Sequence, residues 1–434
     1  MQQEEERVVY RQWGDSGEDD ITRLPRDWEA RVAADGRVFF LNHESKTTCW
    51  DSPLNNKRYR VDRGLPYGWQ KYKDEEGAAH YVDHLNQFSC LVDPRLLTDN
   101  VFELPSVYHI KKTNTMATRF RPLSRATSVM EGVDLSRRVA IVTGANSGLG
   151  FVTALRLAEK GAHVILACRH MTRASTALTK IQNLVPDAKA EVMELDLASL
   201  HSVREFAVSF QKRHLPLHIL VLNAAVFGMP LARTVDGIET HFAVNHLAHF
   251  HLANLLADNL RDSAPSRVVV LASESHWYTT ADPTVPLHIS TLPHPPKHTY
   301  TAVTAYGASK LCNLLFTFEF HRRFSSDGVC CHAVHPGNLL ATNLTWNAGM
   351  LYRISVLLAR PFTKSLEQAA ATVLYCAAHP SLERVSGLYW YECQPVEPSP
   401  DALDPELADG LWGFSHQLIH ERARLSDSSS SEPL

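Results

Sequence analysis

The sequence predicts an α/β protein, a doubly wound parallel sheet preceded by two small three-stranded antiparallel β modules, and three observations carry that prediction. From Leu135 onward, short apolar runs alternate with longer helical patterns, which is how a parallel sheet wrapped by helices reads. Residues 24–53, LPRDWEARVAADGRVFFLNHESKTTCWDSP, are echoed by 65–94, LPYGWQKYKDEEGAAHYVDHLNQFSCLVDP, so that Trp28 aligns with Trp69, Phe40 with Tyr81, His43 with His84 and Pro53 with Pro94. Within each copy, β-branched and aromatic runs are parted by turn signals, Asp35-Gly36 and Glu76-Gly77, as in a three-stranded meander.

Taken in order, residues 1–22 are acidic and poor in large apolar side chains and are expected to be disordered. The two modules follow at 23–54 and 64–95. Units this small cannot build a conventional core, so an aromatic buckle between the two ends is expected to hold each together. Between them, Lys57-Arg58-Tyr59-Arg60 reads as a solvated linker, with a nuclear-import patch as the alternative. Residues 96–134, polar and interrupted by Pro105 and Pro122, read as a second linker. The large domain spans 135–424, with strands expected at Val139–Thr143, Val164–Ala167, Ile219–Leu222, Val268–Leu271 and Val329–Val334 and a helix over Phe151–Lys160. Residues 425–434 are expected to form a disordered tail.

With 44% hydrophobic and 21% charged residues and a net charge of -4 over 434 residues, nothing suggests direct binding of nucleic acid or anionic lipid. The 8 cysteines form no CxxC pair, against a zinc site or a disulfide framework, and reduced thiols are expected. No metal site is expected. The N-terminus lacks an apolar signal region and no stretch is long and apolar enough for a transmembrane segment, so a soluble, cytoplasmic protein is the expectation.

The run Thr143-Gly144-Ala145-Asn146-Ser147-Gly148-Leu149-Gly150 joins an apolar strand to a helix, the setting in which a glycine-rich turn cradles a dinucleotide in a Rossmann-type sheet. Gly144 permits the tight turn, Gly148 lets the backbone approach the pyrophosphate, and Gly150 allows close helix packing. Where the second strand ends, an acidic residue would suit NAD; this chain has Arg169, whose cation favours the 2'-phosphate of NADP(H). Tyr306 and Lys310 lie four apart in a helical run, on one face, where an ammonium lowers the phenol's ordinary value of ~10 and fits it for proton exchange. The histidines of HFAVNHLAHFH show no carboxylate partner and read as packed or solvated positions.

On the glycine-rich turn, AYGASK and the segments NHLAHF, SESH and HPG, residues 135 to about 400 resemble a short-chain dehydrogenase/reductase, with features of its retinol-dehydrogenase-like branch. The resemblance implies that Ser273 hydrogen-bonds the substrate oxygen, with Ser275 as the competing candidate. Asn245 would hold a water in the proton relay, and Lys310 would also touch the nicotinamide ribose. Asp196 would meet the adenine amino group, and Asn223 and Ala224 would flank the cofactor, although Ala225 stands where the family usually has glycine. Pro336 and Gly337, after His335, would pass close to the nicotinamide, and Thr342 would touch the pyrophosphate.

The two repeats resemble WW domains. That resemblance makes Trp28, Phe40 and Pro53 the buckle of the first, and Phe39 and Trp50 an aromatic slot for a proline ring, with Leu41, His43 and Thr48 bordering a pocket for the tyrosine of PPxY peptides. In the second repeat His80 and Leu91 replace both slot aromatics, which suits a supporting unit. The apolar residues after Ser273 (Trp277, Tyr278, Leu287) and after the HPG segment (Leu339, Leu340, Leu344, Trp346, Met350, Leu351) suit either a lid over a lipophilic steroid- or retinoid-like carbonyl or alcohol, or simple packing.

Two functions remain open at this point. One is an NADP(H) oxidoreductase recruited by its PPxY-binding module. The other is a WW adaptor in signalling or transcription control with a cofactor-binding but largely non-catalytic dehydrogenase domain. The resemblance further implies roles in growth control, apoptosis and Wnt signalling, with access to nucleus and mitochondrion.

Overall fold

The computed structural model describes residues 11–12, 24–25, 27–61, 64–73, 77, 79–97, 111–112, 120, 123–280, 287–337 and 364–429. The expectations for Pro105, Pro122, Thr342 and the apolar residues 339–351, and those for most of 1–22 and for 430–434, lie outside them. The chain divides into two compact units, Met1–Ala117 and Thr118–Leu434.

In the first unit, β1 is Arg11–Gln12, and β2 (Trp28–Val32), β3 (Val38–Asn42) and β4 (Thr47–Cys49) form an antiparallel sheet in that order. Strand alternation buries Val38 and Phe40 and leaves Phe39 and Leu41 on the opposite, half-open face. After β5 (Tyr59–Arg60), the second repeat forms β6 (Trp69–Lys73), β7 (Ala79–Asp83) and β8 (Phe88–Cys90). A short β9 (Lys111–Lys112) then pairs with Phe88 and Ser89, extending this sheet into the expected linker. One apolar cluster runs through both repeats, from Ala30, Val38 and Phe40 to Tyr81, Cys90, Val92 and Leu96, with Trp28 and Trp69 packed against it.

The reading of Lys57–Arg60 as a solvated linker fits the exposed Lys57 and Arg60 and is corrected at Tyr59. Tyr59 is 1% exposed inside that cluster, and its hydroxyl accepts from Asn55 Nδ2 at 2.5 Å. Arg58 pairs with Asp51 at 2.8 Å, and Val61 N donates to Gly36 O at 2.9 Å. The segment folds back on the first module because a unit this small needs one more large ring to close its core. Gly36 takes φ +85°, and a Cβ there would lie 2.7 Å from Val61 O, so the return path needs glycine at the turn.

In the second unit the strands are β10 (Val139–Thr143), β11 (His163–Cys168), β12 (Ala190–Glu194), β13 (Ile219–Leu222), β14 (Ser266–Leu271), β15 (Val329–His335), β16 (Leu388–Tyr391) and β17 (Gln394–Val396). They lie in the order β12-β11-β10-β13-β14-β15-β16-β17 and are parallel except for the last hairpin. The helices are α1 (Ala126–Val129), α2 (Gly148–Glu159), α3 (Met171–Leu184), α4 (Leu200–Gln211), α5 (Ala248–Leu255), α6 (Ala257–Asp262), α7 (Ala302–Phe324), α8 (Leu366–Ala378) and α9 (Pro405–Ser429).

Two boundaries move. The expected linker is folded at its C-terminal end, where α1 packs on α8 and Ala126, Val129 and Met130 are buried. Helix α9 continues through Ser429, past the start of the expected tail at 425. Strands β12, β16 and β17 were not foreseen; β12 is an edge strand whose residues are mostly half-buried, so its apolar run is broken by Glu191.

Replacing Tyr59 by Ala is expected to cost about 3–5 kcal/mol, the range for truncating a buried ring, and to melt both repeats together. Thermal unfolding of the full chain, followed by the near-ultraviolet signal of Trp28 and Trp69, measures this; retention of both repeats at the wild-type midpoint would contradict the shared core.

Candidate functional site

The strand order reverses between β10 and β13, and an open α/β sheet takes its ligand at that crevice, beyond the carboxyl ends of the strands. The candidate residues end up there because they follow these strands: Gly144 after β10, Arg169 after β11, Asp196 after β12, Asn223 after β13, Ser273 after β14 and Pro336 after β15. Gly144 and Gly148 take φ of +67° and +58°. A Cβ on Gly144 would meet the Ala224 Cβ at 3.0 Å, and one on Gly150 would meet Asn223 Nδ2 at 2.5 Å. The glycines therefore let the turn, α2 and the Asn223-Ala224 corner close on one another. Asn146 and the exposed Ser147 lie on the rim, Leu149 is buried beneath, and Ser147 makes no side-chain cap to α2, so the first-turn N–H groups face the crevice without one. These are the features a pyrophosphate cradle requires.

Arg169 is exposed at the end of β11, with Nη1 4.0 Å from Asp196 Oδ1. Asp196 Oδ1 also accepts from Ala198 N at 3.0 Å, which fixes the carboxylate beside the guanidinium.

Thr301 caps α7 by accepting from Thr304 N, and the helix carries both Tyr306 and Lys310 buried on one face. Lys310 Nζ lies 5.4 Å from the centre of the Tyr306 ring and donates to Leu271 O at 2.7 Å, two residues before Ser273. Burial pushes the Lys310 ammonium down to about 7. Ser273 Oγ accepts from Ser275 N at 3.2 Å and donates to Ser275 Oγ at 3.1 Å, so the two serine candidates form one pair. Gly307 was not foreseen as important. A side chain there would collide with the carbonyls of Ser275 and Tyr278, so this glycine is what lets the Ser273 segment lie against α7.

Asn245 lies within a π-helical turn, Phe242–Leu247, a distortion frequent at functional positions. Its amide is occupied: Oδ1 accepts from Val226 N at 2.8 Å, and Nδ2 donates to Val226 O and Ser309 Oγ, each at 3.0 Å. The side chain thus braces the Val226 loop against α7.

The reading of the neighbouring histidines as lacking a carboxylate is corrected. Glu239 Oε1 lies 2.9 Å from His241 Nδ1, both buried, and the Glu239 carboxylate also accepts from the N–H groups of His241 and Phe242 at 2.9 and 2.8 Å. Glu239 stands two residues before the histidine run, close enough in sequence to have been noticed. His249 is also more than packing. Thr143 Oγ1 accepts from Asn223 N at 2.9 Å and Ala224 N at 3.0 Å, which fills its two lone pairs. Its one proton is left for His249 Nε2 at 2.9 Å, the shorter contact, with Val221 O at 3.4 Å the other acceptor in reach, and His249 Nδ1–H donates to Asn245 O at 3.1 Å. Burial, opposed by this bond and aided by the Lys310 charge, pushes His249 down to about 4, in keeping with that neutral tautomer. His335 stacks on Tyr391 at 4.9 Å, with neither ring nitrogen hydrogen-bonded to any of the described residues.

In the first unit, Phe39 and Trp50 meet edge to face with centroids 5.8 Å apart, and Leu41 lies opposite Thr48. His43 Nε2 is held 2.9 Å from Glu29 Oε2. In the second repeat His80 and Leu91 occupy the corresponding positions, and the Tyr81 hydroxyl donates instead to buried Asp93 at 2.9 Å.

The Lys310 shift has a stability consequence with a definite sign. The unfolded chain binds this proton up to about 10.4 and the folded chain only to about 7, so folding is penalised in full below pH 7, and the penalty fades as pH rises through that window. Lys310→Met is therefore expected to raise the melting temperature relative to wild type most at pH 6 and progressively less towards pH 10. Calorimetry of both proteins across this range checks it, and a pH-independent difference would contradict it.

Comparison with known proteins agrees with this architecture. The short chain dehydrogenase family profile matches residues 138–281, and the WW domain profile matches residues 24–53. The chain is 46% identical to the WW domain-containing oxidoreductase of Homo sapiens over 407 residues, 93% of this chain and 96% of the relative. It is 39% identical to retinol dehydrogenase 12 of Mus musculus over 287 residues, 66% of this chain and 88% of the relative. Among solved structures, an uncharacterised protein from Mycobacterium paratuberculosis shares 32% identity, with a TM-score of 0.53 over 67% of this chain and 96% of that one. The chain belongs to the WW domain-containing oxidoreductases, short-chain dehydrogenases/reductases that carry WW domains.

Proposed function

We propose that this oxidoreductase uses NADP(H) on a lipophilic carbonyl or alcohol, steroid- or retinoid-like, and that its first WW module binds PPxY-containing proteins. The observation that carries the catalytic reading is the buried Tyr306–Lys310 pair on α7, with Lys310 tethered to the strand that ends at Ser273. A bound nicotinamide dinucleotide supplies hydride chemistry. In the reductive direction the Tyr306 hydroxyl gives its proton to the carbonyl oxygen, and the Ser273 hydroxyl, turned from Ser275 Oγ, donates its one hydrogen bond to the same oxygen. The nearby amine of Lys310 gains a proton more readily once a phenolate stands beside it, so the pair shares the charge that proton transfer creates.

Arg169 supports NADP(H), because its exposed guanidinium stands at the end of β11 where a 2'-phosphate would be met. Asp196 and the Pro336-Gly337 corner stay assigned to the adenine and nicotinamide ends of the cofactor. The lipophilic substrate is supported by the exposed rings of Trp277 and Tyr278 just beyond Ser273, and by Phe227, which packs edge-on against Tyr306 at 4.8 Å. The name of the murine relative, a retinol dehydrogenase, points the same way.

With the full chain, NADPH and a panel of retinals and ketosteroids, Tyr306→Phe is expected to lower turnover at least ~10²-fold while NADPH binding persists. No Tyr306-dependent turnover of any panel member would leave the adaptor reading, with a cofactor-binding but largely non-catalytic domain. Arg169→Glu is expected to weaken NADPH binding by roughly ten- to a hundredfold, as loss of a charge-assisted contact does, and to spare NADH. Equal effects on the two cofactors in fluorescence titration would sink the NADP(H) assignment.

A further inference from the structure

We propose that Arg37 makes the first module selective for PPxY partners with a carboxylate side chain, Asp or Glu, one or two residues before the proline pair. The proposal rests on the PPxY reading of that module and goes beyond it.

Three features of Arg37 carry the argument. It stands two residues before Phe39, so alternation puts both side chains on the slot face. Its guanidinium carbon lies 4.3 Å from the centre of the Trp50 ring, a cation-on-ring stack that holds the planar group at the edge of the slot. Its Nε donates to Asp35 Oδ2 at 2.6 Å, whereas its two terminal nitrogens hydrogen-bond to none of the described residues. The result is a pre-oriented guanidinium whose outer N–H groups remain available, the form of donor suited to a carboxylate.

The peptide's direction follows from the two pockets. With prolines between Phe39 and Trp50 and the tyrosine against Leu41, His43 and Thr48, the chain of a PPxY ligand runs from the Arg37 end of β3 towards His43. One step of two residues along a strand covers roughly 6–7 Å, and two residues of polyproline II cover about the same at ~3.1 Å each. A side chain one or two positions ahead of the slotted proline therefore passes Arg37. Asp35 sets the class of anion: its carboxylate already offsets part of the Arg37 charge, so a monoanionic carboxylate is accepted where a dianionic phosphate meets repulsion. At the other end of the groove the Arg31 cation is offset by Glu29, which also holds His43, so the charge preference is confined to the N-terminal side of the ligand.

The test titrates fluorescein-labelled PPxY peptides that differ only at the residue two before the prolines (Glu, Gln, Arg or phosphoserine) against the full chain. The expected order is Glu tightest, with Arg about five- to tenfold weaker, Gln between them, and phosphoserine no better than Gln. Arg37→Glu should reverse the Glu-to-Arg preference, and Arg37→Lys should retain its sign. Trp50→Ala should abolish binding of every peptide. Equal affinities across the series, with binding still lost in Trp50→Ala, overturn the Arg37 proposal and leave the PPxY reading standing. Phosphoserine binding tightest overturns the carboxylate assignment. Failure of every peptide to bind the wild-type chain overturns both. The peptide changes leave the protein untouched, so the series stays decisive even if Arg37→Glu misfolds.

Discussion

The large unit depends on the three hydrogen-bonding valences of one hydroxyl. Thr143 ends β10, and its oxygen receives the two N–H groups of the Asn223-Ala224 corner while its proton faces His249 at 2.9 Å and, at the longer distance of 3.4 Å, Val221 O. From His249 the chain of bonds continues to Asn245 O, and from the Asn245 amide through Ser309 Oγ to Tyr306 O at 2.7 Å. The glycine-rich turn and the tyrosine helix are thus parts of one buried polar network, although they lie more than a hundred residues apart in sequence. Every member is satisfied, and such networks rigidify rather than weaken a core. The inclusion of neutral imidazole matters, since a protonated His249 would face a hydroxyl with no lone pair left to offer.

Much of this was legible before the fold was known. The glycine-rich run and the YxxxK spacing are local patterns whose meaning depends on a strand-to-helix turn and on one helix face, and both elements are strongly patterned. The network was not legible, because nothing in the sequence ties Thr143, at the head of the glycine-rich run, to His249 and Ser309 until the sheet order brings them together. Gly307 hid for a similar reason: a glycine inside a helix announces a close approach without naming the segment that approaches. Strand β12 escaped because, at a sheet edge, it need not be apolar throughout, and Glu191 sits where a central strand would carry an aliphatic side chain.

The two repeats show how similar sequences close their interiors differently. In the first, phenylalanine at position 40 is wholly apolar and the aromatics on the opposite face stay open. In the second, the matching Tyr81 carries a hydroxyl that must be satisfied in the interior; Asp93 accepts from it and is neutralised in turn by Arg95 at 2.7 Å. A buried ion pair is a costly way to close so small a core, and it makes sense where specificity of packing matters more than an exposed slot. The cluster of apolar side chains common to both repeats is consistent with that role.

The return of residues 52–61 onto the first repeat separates two boundaries that are easily equated. The recurring pattern of the first module ends near Pro53, but the cooperative folding unit does not, because Tyr59 and Val61 complete its interior and the second repeat continues it. A fragment cut at the end of the pattern would retain every residue of the slot and lack the buried Tyr59 and Val61 that complete the core beneath it. Weak binding by such a fragment would report on truncation of the shared core rather than on the slot itself.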